Sequence, residues 1–346
     1  MPSEFTHLHL HTQYSVLDGA LKITNLVQRL KELGQSSVAM TDHGNMHGAI
    51  EFYQKTTKAG IKPIIGCEVY ITAGSRFEKV PFNQGGPRTH HLTLLAMNMT
   101  GYKNLCKLVT LGYVEGFYFK PRIDKELLAQ HSEGIICLSG CVSSELAAKA
   151  RADDIEGARK LLNRYIEMFD DRLYLEIQPH KFDAQQKLNR MNYELSKEFK
   201  LPLVATNDCH YIHKDDAYSQ EVLMCVSTGK LITDDSRMKH DSELYLKSYD
   251  EMLVDFQNNP EALDNTQKIA DRCELEFDFS KHYMPQYDPH PEESIDILFE
   301  KSARKGLEKR YKDLAHYFDG LSAEVKKEYS ERLDEEIGLI LSLIHI

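Results

Sequence analysis

The run His7-Leu8-His9-Leu10-His11 sets three imidazoles at two-residue spacing. Side chains alternate across a β-strand, so on a strand the three imidazoles share one face and the two leucines the other. Two imidazoles at i and i+2 reach a single metal ion, and histidine is the commonest side chain to bind one. Taken alone, the alternation also suits the polar face of an ordinary half-buried strand. Repetition separates the two readings. Asp18 follows in Leu17-Asp18-Gly19, then Thr41-Asp42-His43-Gly44, Gly66-Cys67-Glu68, His90-His91, Ser139-Gly140-Cys141 and Thr206-Asn207-Asp208-Cys209-His210. Almost all of these groups sit at or beside the end of a β-type run, which a random scatter of 16 histidines would not favour. So many imidazoles and carboxylates exceed the needs of one ion. Hydrolytic sites with two or more ions require that surplus, because several carboxylates must bridge and neutralise closely spaced cations. The pattern points to a polynuclear metal site.

Groups so distant in sequence converge only if the elements beneath them bring one end of each to the same place. β-type runs recur at residues 5–11, 37–41, 63–71, 91–96, 134–139, 173–178 and 201–206. Between them lie stretches with apolar residues at helical spacing, such as Leu21, Leu26, Leu30 and Leu33, or Leu188, Met191, Leu195 and Phe199. Alternating strand and helix over some 200 residues reads as an α/β fold, either a barrel or a doubly wound sheet. The loading of strand ends with His, Asp, Glu and Cys favours a barrel, whose C-terminal rim carries its site. After Leu275 the pattern changes. Pro285, Pro289 and Pro291 oppose helix and mark a linker, with a boundary near residue 280. Residues 292–311 and 321–341 beyond it read as charged helices with too few apolar positions for a core of their own.

The chain has 346 residues, 42 Lys+Arg against 53 Asp+Glu, a net charge of −11 and 42% hydrophobic positions. At about 150 residues per domain, that length suggests two domains. The longest apolar run, 337–346, is interrupted by Gly338, Ser342 and His345 and falls short of the roughly 20 residues that span a bilayer. With no secretory pattern at the N-terminus, the expected location is cytoplasmic, away from membranes. Seven cysteines, an odd number without a C-x-x-C pair, argue against a disulfide framework or zinc ribbon. The acidic balance argues against coating duplex DNA through a broad basic surface, although a local basic groove remains compatible with it.

The runs His9-Leu10-His11-Thr12 to Asp18-Gly19, Thr41-Asp42-His43-Gly44-Asn45, Pro63-Ile64-Ile65-Gly66-Cys67-Glu68, His91-Leu92-Thr93-Leu94-Leu95-Ala96, Gly116-Phe117-Tyr118-Phe119-Lys120-Pro121-Arg122, Leu138-Ser139-Gly140-Cys141 and Ala205-Thr206-Asn207-Asp208-Cys209-His210-Tyr211 carry a resemblance. Together they resemble the N-terminal PHP (polymerase and histidinol phosphatase) domain of the bacterial C-family replicative DNA polymerases, the polymerase III alpha-subunit family. The resemblance runs in order from about residue 5 to about 340. The segments 120–122 and 206–211 are more specific to the polymerase branch than the short H-x-H motif. It implies a distorted seven-stranded β/α barrel of PHP type over residues 1–280, followed over 281–346 by a linker and the short helical start of the polymerase (palm) region.

Matched position by position, the family's metal ligands fall on His9, His11, Asp18, His43, Glu68, His91, Cys141, Asp208 and His210. All nine positions carry coordinating side chains, as in the members that retain activity. The resemblance implies two to three divalent ions, with Glu68 bridging and Glu68, Asp208 and His210 at the catalytic centre. The Cys141 thiolate tilts the metal towards zinc, with manganese or iron open, because soft ligands select soft metals. Cations lower the pKa of water from about 15.7 towards about 7, and the resulting hydroxide attacks phosphorus. In the family that chemistry is 3′–5′ proofreading exonuclease action on a DNA primer 3′ end, with Lys120 and Arg122 as contacts to the DNA backbone. Further partners implied are the remainder of the polymerase chain and, through regions absent here, the sliding clamp and clamp loader.

Two other readings stand beside this one: a histidinol-phosphatase-like phosphomonoesterase, and a catalytically silent module that braces the polymerase through metal-coupled folding. The extension after residue 212 disfavours the first, and the intact ligand set the second. His7, His90, Asp42 and Asn207 read as supporting or packing residues, and the cysteines other than Cys141 as core fillers. No D-x-D pair exists to hold the two magnesium ions of a polymerase palm, so polymerisation is not expected of this chain. The ending Leu341-Ser342-Leu343-Ile344-His345-Ile346 departs from the family's continuation, which points to a truncated or interrupted reading frame.

Overall fold

A computed structural model of the chain describes residues 5–237, 242–281, 293–317 and 321–343. The apolar runs become strands β1 (Ser37–Met40), β2 (Lys62–Thr72), β3 (Thr89–Ala96), β4 (Arg122–Ile123), β5 (Ile135–Leu138), β6 (Leu173–Ile177) and β7 (Leu203–Ala205). β1, β5 and β6 are buried at every position, as strands covered on both faces must be, which is why they read as unbroken apolar runs. The helices that cover the sheet include α1 (Ile23–Glu32), α2 (Ala49–Lys58), α3 (Met99–Val114), α4 (Lys125–Gln130), α5 (Glu145–Arg151), α6 (Ile155–Phe169) and α7 (Asp183–Phe199). Asn98, Asp124, Ser144 and Asp154 each accept a hydrogen bond from the backbone N–H three residues on, and so start α3, α4, α5 and α6. α8 (Ala217–Thr228), α9 (Tyr249–Asp255) and α10 (Pro260–Arg272) follow β7.

The seven strands form one curled mixed sheet in the order β1-β2-β3-β5-β6-β7, with β4 beside β2. All pairs are parallel except those of β3, which runs antiparallel to β2 (Gly66 opposite Leu95) and to β5 (Thr93 opposite Leu138). Residues 7–11 link the two edges of the sheet. Ala39 N–H donates to the His7 carbonyl at 2.8 Å and Thr41 N–H to Leu10 at 2.8 Å, while His11 N–H donates to Cys209 at 2.7 Å and Cys209 N–H to His9 at 3.1 Å. The interior of the curl holds Leu8, Ala39, Ile64, Leu95, Ile136, Leu138, Tyr174 and Val204, closed by Ile269 and Ala270 of α10.

Two details correct the sequence reading. The run 5–11 is not a regular strand: it bends at His9 and pairs only through isolated bridges, His7 with Val38 and Leu10 with Cys209. Side chains replace ladder partners there, since Leu10 N–H donates to Thr41 Oγ1 at 2.9 Å and Thr12 N–H to Asp42 Oδ1 at 2.6 Å. The bend breaks the alternation. Leu8 and Leu10 enter different apolar clusters, and His7 turns to the Lys247 carbonyl, with its Nε2 at 2.9 Å. The count of seven strands is met instead by the two-residue β4.

The chain divides into two compact units, Met1–Phe277 and Asp278–Ile346. The second contains α11 (Ile295–Tyr317) and α12 (Ala323–Leu343), joined by an Arg304–Asp334 ion pair at 2.7 Å and a Tyr311 hydroxyl donating to the Lys326 carbonyl at 2.8 Å. Ile337 is the one buried apolar side chain among its described residues. The proline-rich run 283–291 lies outside the described residues. Among these, no helix is long and apolar enough to cross a membrane. Six of the seven cysteines are buried and none is paired.

Candidate metal centre

The antiparallel direction of β3 explains how the site assembles. β1, β5, β6 and β7 all end at one rim of the sheet, and β3 begins there. His91 therefore comes from the start of its strand, while His43, Cys141 and Asp208 follow the ends of theirs. The rim gathers all nine expected ligands. Glu68 lies at the centre: its carboxylate is 2.5 Å from His43 Nδ1, 2.9 Å from His91 Nδ1, 3.3 Å from His9 Nε2 and 3.4 Å from Cys141 Sγ. Asp208 Oδ1 is 3.1 Å from His11 Nε2 and 3.3 Å from His9 Nε2. Asp18 Oδ2 is 3.1 Å from His43 Nε2, and the His210 ring stacks on His11 with centroids 4.3 Å apart.

Three overlapping groups have ligand atoms close enough to share an ion: His9, His11 and Asp208; His43, Glu68 and His91; His11, His43 and His210. Asp208 reaches its place through a left-handed backbone, φ 52°, a conformation that costs energy for a residue other than glycine and persists where its surroundings impose it. Gly140 allows the Cys141 loop to approach β3, since a Cβ there would lie 2.9 Å from the His91 carbonyl oxygen at a φ of 87°.

The converging ligand atoms crowd against one another at 2.5–3.3 Å, yet the contacts do not form well-aligned hydrogen bonds. His9 Nε2, His11 Nε2, His43 Nδ1, Glu68 Oε2 and Asp208 Oδ1 are buried without a hydrogen-bond partner among the described residues. Buried polar atoms are normally paired, and a cluster of imidazole nitrogens and carboxylate oxygens left unpaired together is a donor set that divalent cations fit. The electrostatics agree. Burial opposes charge on His9 and His43, but Asp208 and Glu176 overcome it for His9, and Glu68 with Asp18 overcomes it for His43, raising His43 to about 10. Burial and the neighbouring His43 and His210 lower His11 to about 3. Burial works against the Glu68 and Asp208 carboxylates, yet the histidines around them hold both well below the usual range. Burial, then the charges of Glu68 and Asp208, push the Cys141 thiol up, so a thiolate there would need a cation beside it.

A second layer fixes the imidazoles. Glu176 Oε1 lies 2.6 Å from His9 Nδ1, and accepts hydrogen bonds from Thr206 Oγ1 at 2.5 Å and Gln178 Nε2 at 3.1 Å. A carboxylate behind a ligating imidazole sets its tautomer and raises its basicity. Ser15 Oγ lies 3.0 Å from His11 Nδ1 and donates to Asp42 at 2.9 Å. The sequence reading missed Glu176. The signal was present as a single acidic residue in the buried run Leu173-Tyr174-Leu175-Glu176-Ile177, where an unpaired charge would be costly.

A cleft of about 290 Å³ opens over the centre, lined by Asp18, His43, Glu68, His91, Asp208 and His210, and also by Lys120, Gln178, His180 and Phe182. Lys120 Nζ stands 5.1 Å from the Tyr70 ring at the cleft wall. Arg122 does not reach the cleft. It is 1% exposed, and its guanidinium donates to the carbonyls of Gly116 at 3.0 Å, Arg76 at 3.2 Å and Glu78 at 2.9 Å, so the group expected to touch DNA instead anchors loops.

A curled mixed half-barrel with imidazoles, carboxylates and one thiol gathered at its rim defines a class, that of the PHP-type folds. The PHP domain profile matches residues 7–180, just over half of the chain, and the chain belongs to the PHP domain family. Within that family it is similar to the DNA polymerase III subunit alpha of Borreliella burgdorferi, at 41% identity over 90% of this chain, and of Helicobacter pylori, at 42% over 98%. The chain spans 27% and 29% of the length of those two relatives. Among solved structures it is similar to a two-domain protein from Bacteroides vulgatus containing a predicted PHP-like metal-dependent phosphoesterase, with a TM-score of 0.32, 13% identity and coverage of 76% of this chain and 63% of that one.

Proposed function

We propose that the chain is the N-terminal portion of a replicative DNA polymerase, acting in the cytoplasm, and that its PHP unit hydrolyses DNA phosphodiesters as a 3′–5′ exonuclease. The observation that carries this reading is the convergence of seven coordinating side chains, His9, His11, His43, Glu68, His91, Asp208 and His210, in three groups that could each hold an ion, with five of their buried atoms making no hydrogen bond, beside a cleft that Asp18 and Cys141 also line. Two or three divalent ions held there, zinc being favoured by Cys141, supply Lewis acidity that generates a nucleophile from water and neutralises charge at phosphorus. The chain's own residues do the rest. Glu68 sits where it can bridge two groups of ligands, and Asp208 links His9 with His11. Glu176 holds His9 in one tautomer, and Ser15 does the same for His11. Lys120, at the cleft wall, supplies a positive charge for a phosphate of the bound strand.

The test is hydrolysis of a single-stranded DNA oligonucleotide labelled to report loss from its 3′ end, with added zinc or manganese and with EDTA, alongside elemental analysis. Stepwise 3′ shortening that EDTA abolishes is expected, with two or more metal equivalents per chain. Bound metal with turnover of a simple phosphomonoester and no DNA cleavage would replace this reading by the phosphatase one. Metal with neither activity would favour a structural module.

A further inference from the structure

Four exposed phenylalanines lie on two loops of the first unit. Phe77 and Phe82 lie between β2 and β3, and Phe117 and Phe119 between α3 and β4. The two loops form one surface. Lys79 Nζ donates to the Phe117 carbonyl at 2.7 Å, the Arg76 guanidinium pairs with Glu115 at 2.7 Å, and the buried Arg122 holds the Arg76 and Glu78 carbonyls from below. That surface is continuous with the metal cleft. Lys120 follows Phe119 directly and stands over Tyr70, whose ring lies 5.1 Å from His91 and 6.1 Å from His43.

Phe119 incurs two costs without a return in core packing. Its φ of 59° is a strained conformation for an aromatic residue, and its side chain is 78% exposed. Strain of that kind, held in place by the surrounding loops, concentrates at ligand-binding positions. Cations stand among the rings. The Arg88 guanidinium lies 4.1 Å from the Phe82 centroid, Lys79 is exposed and Lys120 faces the cleft. None of the three forms an ion pair with a carboxylate among the described residues, in a chain whose net charge is −11. An apolar protein partner would explain the rings but not the cations. Rings interleaved with uncompensated cations are the combination that takes single-stranded nucleic acid, with bases stacked on the rings and phosphates against the cations.

We propose that this surface is the approach track for a single-stranded DNA 3′ segment leading into the metal cleft, with Phe82 and Phe119 as stacking platforms and Lys79, Arg88 and Lys120 as phosphate contacts. It deepens the exonuclease reading and rests on it for the direction of the strand. The binding itself is measurable without hydrolysis. The full 346-residue chain in EDTA is titrated against a fluorescein-labelled dT12 oligonucleotide and followed by anisotropy.

Each stacking ring is worth about 1–3 kcal/mol by alanine substitution, so Phe82→Ala combined with Phe119→Ala should weaken binding by roughly 30-fold or more. Phe82→Tyr with Phe119→Tyr should stay within about threefold of the unsubstituted chain, because tyrosine keeps the stacking face. Arg88→Ala should reduce the slope of log K against log salt by about 0.7, the value for one phosphate contact on a single strand. A melting temperature within a degree or two of the parent separates these effects from misfolding. Equal affinity of the alanine and parent chains for dT12, or no binding by the parent, would overturn the proposal and leave the surface to a protein partner. The exonuclease reading is judged apart, by its own metal-dependent cleavage assay.

Discussion

Replacing Glu176 by glutamine keeps its shape and removes only the charge behind His9. Because Glu176 Oε1 lies 2.6 Å from His9 Nδ1, the substitution should weaken metal binding by about 10–100-fold, the usual effect of losing the carboxylate behind a ligating imidazole. Titration of the metal-free protein with zinc, followed by a competing chelator, reads this directly; unchanged affinity would mean that His9 is held by packing alone. Asp208→Asn tests the inner layer. Asp208 approaches both His9 and His11, so its loss should lower metal content and the rate of 3′ shortening together, the rate by about 100-fold or more. Hydrolysis that persists at the parent rate after the metal is lost would sink the assignment. At this scale the convergence of these side chains was legible, because imidazoles and carboxylates repeated at strand ends have few structural uses. Arg122 and Glu176 were not legible for a shared reason: a charged residue's type does not say whether it faces solvent, a carbonyl cage or a ligand, and only long-range packing decides.

The elements differ in how far local sequence determines them. β1, β5 and β6 are short buried runs whose composition leaves little alternative, and the sequence reading found each within a residue or two. The direction of β3 was hidden, because strand pairing is set by partners far along the chain. Residues 7–11 look like the best alternating strand of all, yet they bend, because Thr41 and Asp42 side chains offer hydrogen bonds that compete with a regular ladder. Asp42 is the stronger of these. Its buried carboxylate accepts from Thr12 N–H at 2.6 Å, Thr12 Oγ1 at 2.8 Å and Ser15 Oγ at 2.9 Å. Asp42→Ala strands these donors, at about 1–3 kcal/mol for each one left buried without a partner. The metal-free protein should therefore lose about 3 kcal/mol in urea unfolding. An unchanged midpoint would show that burial of Leu8 and Leu10 alone keeps the edges of the sheet joined.

At the scale of the whole molecule, the first unit gathers acidic groups at its rim as well as an apolar core. Glu68 and Asp208 are held as carboxylates in a buried setting where few neutral donors reach them. Cations held there as proposed would couple to folding, since a ligand bound only by the native state adds about 2.7 kcal/mol at a hundredfold excess over its Kd. For a unit of this size that corresponds to a fall of roughly 5–10 °C in Tm when EDTA strips one such ion. The second unit should not share the effect: among its described residues only Ile337 is buried, and its two helices meet through one surface ion pair worth little, a Tyr311 hydrogen bond and a Tyr311–Tyr329 ring contact. Scanning calorimetry of residues 1–277 beside the full chain separates the contributions. The shorter chain should keep both the main transition and its EDTA-sensitive shift. Loss of that transition on removing residues 278–346 would mean that the two helices complete the core of the PHP unit, and the two compact units would then be one folding domain.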